Sequence, residues 1–368
     1  MRTLVAGLVC LVIGIGITEY ARRNPSKTEA GAETDTKDNT PSKPKWPKEV
    51  ATLLETEAPG TDAPGTDAEL AALLTVPSID GANFPAVAGG AFEARQLSGG
   101  FGAALFVIDA KGKSGLVRAA AGDAPKLLFS RNAPINAISV DGSTVFFAEG
   151  GLIGSTLARG GEGVTVRARF KNAVVTSLAS SGDTVVATVM PRSADPASTD
   201  AVGAVISIDS DGKVSLIAQE QVKPRAAQTD GKGAYWIAGY PAGLWRGALD
   251  GAFSSQLADT ADEPIALDGD AVYFRAPLGS GVELKRVGRA GGNMSTVATA
   301  DVNQLVVQSG LVRFTTAGAT PKLYEVTSGA EPTEVLTLSG AAKGLALGGT
   351  TLFVLTTGAD GASLLRAK

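Results

Sequence analysis

Four groups of residues in this chain have types and spacings that invite a chemical reading. Asp-Gly pairs stand at Asp141, Asp230, Asp250 and Asp268, and two such carboxylates converging on one cavity could work as acid and base. Asp209-Ser210-Asp211-Gly212 begins like a calcium loop. The next residues, Lys213-Val214-Ser215-Leu216, supply none of the further oxygen ligands that such a loop needs, so the segment reads as a hairpin turn. Tyr235, Trp236, Tyr240 and Trp245 gather beside Arg246 in a chain with only 5% aromatic residues. Exposed, these side chains would anchor a partner; buried, they would be core between packed sheets. Finally, the polar stretch Pro191–Gly203 carries Asp195 and Asp200, and a long loop on a rigid scaffold is a natural place for recognition.

Composition removes several classes of function. None of the 368 residues is histidine, which takes away the commonest general base and the commonest metal ligand together. The single cysteine, Cys10, has no intramolecular disulfide partner. A formal charge of −4 without a Lys/Arg block argues against a nucleic-acid partner, because phosphate binding needs clustered cations. No P-loop, dinucleotide fingerprint or nucleophile elbow occurs. No catalytic residue, cofactor or metal is therefore expected.

The elements that must position these residues announce themselves by repetition. Polar turns at Gly100, Gly142, Gly182, Gly231, Gly269, Ser309 and Gly348 are separated by 42, 40, 49, 38, 40 and 39 residues. Each is followed by a run of β-branched and aromatic residues, as in LDGDAVYFRA and LGGTTLFVLT. That is a tight hairpin, and later segments such as GAVISIDSDGKVSLIA supply a second one. Four antiparallel strands in about forty residues make the blade of an all-β propeller. Seven turns predict seven blades, with six or eight also compatible because the turn at Gly99-Gly100 is the least regular. The last unit stops after three strands, so its fourth should come from upstream, near residues 77–90. The insertion Pro191–Gly203 accounts for the 49-residue gap, and the Asp-Gly pairs fall in place as turn chemistry.

Ahead of the repeats, Leu4–Ile17 is an unbroken apolar run followed by Arg22-Arg23. A cleaved signal and an uncleaved anchor through residues 4–21 fit equally, and both place the rest outside the cytoplasm. The chain thus divides into an export or anchor segment (1–23), a Pro/Thr/Asp/Glu-rich tether (24–76) and the propeller (77–368). The tether includes the tandem APGTD-APGTD at Ala58–Asp67, and its composition predicts disorder. Glu49–Thr56 and Ala68–Val76 are apolar enough for short helices within it.

In the fourth unit, Tyr235-Trp236 and the closing Leu249-Asp250-Gly251 resemble the Tyr-Trp-Thr-Asp propeller repeat of lipoprotein-receptor ectodomains. Ile237 and Ala238 stand where that repeat has Thr and Asp, so half of the motif is present. Residues 90–368 are similar more broadly to exported bacterial β-propellers of unknown function. The resemblance implies a propeller outside the cytoplasm and carries no catalytic residue. The expected function is a binding or scaffold module of the envelope, periplasmic or cell-surface, taking a protein, peptide or glycan. Its candidate contact residues are Tyr235, Trp236, Tyr240, Trp245, Arg246, Asp195 and Asp200. The alternatives are a hydrolase or lyase using channel carboxylates and a purely structural assembly module.

Overall fold

The computed structural model describes residues 48–57, 61–62, 67–75 and 86–367, apart from 121, 162, 196–197, 280, 328 and 360. The expected signal or anchor (4–21) and residues 24–47 lie outside the described residues. Within them, seven four-stranded antiparallel sheets form a seven-bladed propeller. Blades 1 to 6 span residues 93–131, 135–169, 173–222, 225–258, 262–298 and 302–337. The innermost strand of each blade packs against that of the next, and the seventh packs against the first, so the ring is closed.

Closure is achieved as the missing fourth strand of the last unit predicts. Blade 7 takes three strands from residues 341–366 and its outermost strand, β2 (Ala86–Gly90), from upstream. Here β1 (Thr61–Asp62) and β2 are the two strands that precede blade 1. Successive residues of each second strand face the two neighbouring blades in turn, so runs such as Ala103–Ile108 and Val145–Ala148 are buried throughout. The second strand supplies a fully buried aromatic in six blades, Phe106, Phe146, Trp236, Phe274, Phe314 and Phe353, while blade 3 uses Val186 and Val189 instead.

The first hairpins turn at left-handed residues as expected, including Gly142, Gly182, Gly231, Gly269 and Ser309. Ser309 tolerates this backbone because Asp268 of the preceding blade accepts from its amide at 3.1 Å and from that of Gly310 at 2.7 Å. The first and last turns lie slightly beyond their expected positions, at Phe101–Gly102 and Gly349. Gly99-Gly100 is irregular for a packing reason. A Cβ at Gly99 would stand 2.2 Å from the Leu347 carbonyl oxygen of blade 7, and one at Gly100 would stand 2.3 Å from Val140 Cγ1 of blade 2.

Parts of the stretch expected to remain a tether are docked on the disc. Helix α1 (Lys48–Leu53) and the residue after it send Val50, Leu53 and Leu54 into the core between blades 2 and 3. Next, Thr56 bridges to Phe170, and β1 adds a fifth strand to the outer edge of blade 2. Helix α2 (Ala68–Ala71), capped by Asp67, seats Leu70 in the core between blades 7 and 1. Thr75 then exchanges two backbone hydrogen bonds of 2.9 Å with Gly89 of β2. Composition alone suggested that this stretch could not offset its ordering entropy, yet its few leucines find ready-made clefts at blade seams. Among the described residues the ion pairs between strap and disc share one polarity, with Glu55, Glu57, Asp67 and Glu69 on the strap facing Lys171, Arg169, Lys113 and Lys111 on the disc. Leu70→Ala should weaken docking by about 2–4 kcal/mol. Hydrogen exchange at Thr75 and Gly89 would then accelerate, and unchanged protection at both amides would show that α2 is not what holds the strap.

Candidate binding face and channel mouth

The turn between second and third strands and the link to the next blade emerge on the same face of the disc, here called the top. The other two turns of each blade emerge on the bottom. The Asp-Gly pairs are all at bottom turns. Asp230 accepts from the amides of Lys232 and Gly233 at 2.9 and 2.8 Å, and Asp250 accepts from Ala252 at 3.0 Å. Asp209 likewise accepts from Asp211 and Lys213, so its segment is a hairpin turn. Asp230 also pairs with Arg289, and Asp268 holds the turn of the next blade, so these carboxylates serve turns and blade contacts.

At the top, every innermost strand carries a β-bulge where it enters the central channel. The extra residues are Gln96, Asn136, Thr176, Ala226, Glu263, Asn303 and Lys343, with Pro264 as a second extra residue in blade 5. A bulge re-aims a side chain that a regular strand would pack between blades. Several of these residues fasten one blade to the next. Gln96 donates to the Asn136 carbonyl (2.7 Å), Thr176 to that of Pro224 (3.0 Å) and Asn303 to that of Ala342 (2.8 Å). The ring was not foreseen from the sequence. The available signal was the period itself, since each bulge falls four to six residues before a turn position.

Across blades 4 to 6 the mouth carries a ladder of alternating charge. Arg225 reaches Glu263 at 3.1 Å and Asp262 at 3.0 Å. Arg275 joins Asp262 at 2.8 Å and Asp301 at 2.9 Å. Three acids thus share two guanidinium groups. Burial pushes the Glu263 carboxyl above the usual glutamate range, Arg225 opposing and Asp262 reinforcing the rise. Yet 52% of that side chain is exposed. The carboxylate is therefore open on one side and hemmed in by the channel wall on the other.

A pH prediction follows from that sign. A carboxyl raised by folding contributes stability that is complete below the ordinary glutamate range and lost as pH rises through the folded-state value. Glu263→Gln cannot ionise, so its stability relative to the parent should rise between about pH 4 and about pH 7. Parallel urea titrations at the two pH values measure this, and a relative stability that falls with pH would refute the assignment.

The residues singled out from the sequence are dispersed. Trp236 is fully buried between blades 3 and 4, its indole N–H donating to Gln221 Oε1 at 3.0 Å. Tyr235 is buried between blades 4 and 5, and burial raises its phenol above the usual range. Trp245 is half-buried and donates to the Ala238 carbonyl at 3.2 Å. Arg246 points toward the bottom, bonded to Ser255 and the Arg289 carbonyl and lying 5.4 Å from the Phe253 ring centroid. Only Tyr240 of that unit stands free, 79% exposed in the top turn of blade 4. Asp195 and Asp200 lie in the top loop of blade 3 and are also exposed. A hydrogen bond from Ser198 holds the Asp200 carboxyl below the usual range.

Tyr240 has apolar company on the same face. Val202 at the end of the blade 3 loop and Leu278 in the top turn of blade 5 are 44% and 51% exposed. Val202 registers with Val222, whose carbonyl accepts from Gly239 at 2.8 Å, next to Tyr240. Among the described residues no group of three acidic or thiol side chains could hold a metal.

No protein-family model matches this chain, and no curated protein sequence does. Solved structures do. Oligogalacturonate lyase from Vibrio parahaemolyticus superposes with a TM-score of 0.61 at 12% identity, over 85% of this chain and 98% of that one. The β-propeller domain of the Trilobed protease from Pyrococcus furiosus gives 0.58 at 14% identity, over 75% and 95%. Acylaminoacyl peptidase from Pyrococcus horikoshii gives 0.59 at 16% identity, over 74% of this chain but only 50% of that one. The likeness is one of fold. The Trilobed protease domain has an open velcro topology, whereas β2 closes the seventh blade here.

Proposed function

We propose that this protein is a non-catalytic binding or scaffold propeller of the cell envelope, taking a protein, peptide or glycan ligand on its top face over blades 3 to 5. The observation that carries the reading is Tyr240. It is a large aromatic left 79% exposed on a rigid turn, between Val202 and Leu278 on the neighbouring blades. Isolated exposed apolar residues are ordinary, but three on consecutive turns of one face suit a recognition surface. The adjoining mouth supports binding over turnover, because Asp262 is held by two arginines and has no free oxygen for proton transfer. Export rests on the apolar Leu4–Ile17 and the arginines that follow it. The alternative reading, a hydrolase or lyase, rests on Glu263, whose raised carboxyl could act as an acid.

A photo-crosslinking residue placed at Tyr240, with another at Phe101 on the bottom face, tests the reading in intact cells. A discrete crosslinked partner from position 240 and none from 101 is expected. Equal labelling from both faces would overturn it, and turnover abolished by Glu263→Gln would establish the enzyme instead. Fractionating the same cells decides the location.

A further inference from the structure

The sign of the uncommitted charge narrows the ligand. The two halves of the top face differ. Over blades 1 to 3 the cations Lys111, Lys113, Arg169 and Lys171 are matched by the acids of the strap. Over blades 3 to 5 no described residue of the strap pairs with the top turns, and the balance is reversed. Glu220 at the top of blade 3 and Asp259 in the link after blade 4 are exposed and make no ion pair among the described residues. Glu263 has one cation for its two oxygens, because Arg225 is shared with Asp262. Lys223 and Arg192 are the cations on these blade tops without an ion pair among the described residues, Arg192 donating to the carbonyls of Lys171 and Ala173, and the acids including Asp195 and Asp200 outnumber them. Lys343, on the bulge of blade 7, stands across the mouth.

We propose that this face is a docking surface for a basic polypeptide segment. The segment sets an apolar side chain against Tyr240 and Val202 and delivers a neighbouring Lys or Arg side chain to Glu263 at the channel mouth. The inference rests on the binding reading above and deepens it by choosing among protein, peptide and glycan. Neutral glycans can donate hydroxyl hydrogen bonds to the carboxylates but leave their charge unmatched, and acidic glycans are repelled by them, whereas an ammonium or guanidinium beside an apolar side chain matches both the charge and the apolar contact and is characteristic of polypeptides. Glu263 is paired with Arg225 through one oxygen only, and beside the channel wall its ionised carboxylate gains more from an arriving cation than one at an open surface would. The apolar contact supplies affinity and the charge supplies choice.

The test uses the full chain and immobilised blocked hexapeptides with Leu or Tyr next to a central Lys or Arg. Matched peptides carry acetyl-lysine, citrulline or Glu at that position, and neutral and uronic oligosaccharides complete the set. Basic peptides should bind at least about tenfold tighter than their neutral analogues, and less so in high salt. Glu263→Gln should shrink that preference to about threefold or less, while Tyr240→Ala weakens every peptide alike. Both side chains are on the surface, and circular dichroism melts of the two variants confirm that they fold. If neutral peptides or oligosaccharides bind as well as basic ones and Tyr240→Ala weakens them, the face stands and its cationic ligand is refuted. Basic peptides whose binding ignores Tyr240→Ala would refute the face itself, and so the reading beneath it. No preference for basic peptides, including no binding by any, overturns the inference.

Discussion

Trp236→Ala should cost the fold about 3–5 kcal/mol, the range for deleting a large aromatic from a core. The indole is wholly buried among Val186, Val205 and Ile217 of blade 3 and the small residues of its own blade. Its neighbours belong to two separate sheets, so neither can collapse into the vacated volume without breaking register with the rest of its blade. Gln221 would also lose the indole donor at 3.0 Å, though it is half-buried and can recruit water. The cost should therefore come from lost packing. Urea unfolding at fixed pH reads it directly, and Trp236→Phe, which keeps part of the volume, should lose markedly less. A loss below about 1 kcal/mol would mean that the seam between blades 3 and 4 repacks freely, against the usual behaviour of close-packed interiors.

The second large effect is expected at Gly361, where the ring closes. This residue has φ of +107°, and a Cβ built on it would lie 2.2 Å from the Gly90 carbonyl oxygen and 3.2 Å from the Ala91 Cα. Gly361→Ala meets a left-handed backbone and a backbone clash together, and no side-chain rotation relieves either. Overpacking of this kind costs about 1–3 kcal/mol and the conformation adds about 1–2 more. The strand that must move is β2, held to the last strand of blade 7 through Ala86, Ala88, Gly89 and Gly90. Hydrogen exchange at Ala88 and Gly89 should accelerate more than at the closing hairpins of blades 4 and 5. Uniform acceleration around the ring would show that the seam is no weaker than other junctions. Gly279→Ala makes a useful control, because its added Cβ meets nothing within 4 Å.

Much of this architecture was legible because hairpin chemistry recurs wherever the backbone turns. The Asp-Gly and Gly-Gly steps repeat with the blades, and the three-stranded last unit pointed to a strand from upstream, which β2 provides. The mouth was less legible. A bulge changes the count of residues in a strand by one and leaves composition untouched, so Gln96, Asn303 and Lys343 look like ordinary members of alternating runs. The fourth unit failed in another way. Tyr235, Trp236, Tyr240 and Arg246 are close in sequence, but successive strand residues face opposite sides, so they divide among two blade seams, the bottom and the top. Docking of the strap escaped composition because a few leucines, correctly spaced, outweigh a polar average.

That strap also determines how the disc would respond to being pulled. The first described residues of the strap, in α1, lie at the rim of blades 2 and 3, where Asn172 donates to the Thr52 carbonyl at 3.0 Å. A load arriving from that side meets α1 first, then the added strand on blade 2, then α2, and only afterwards the strand that closes the ring. The attachments are in series and can yield one after another. Tension would be dissipated by sacrificial contacts along the rim before it reached the seam on which the circular fold depends.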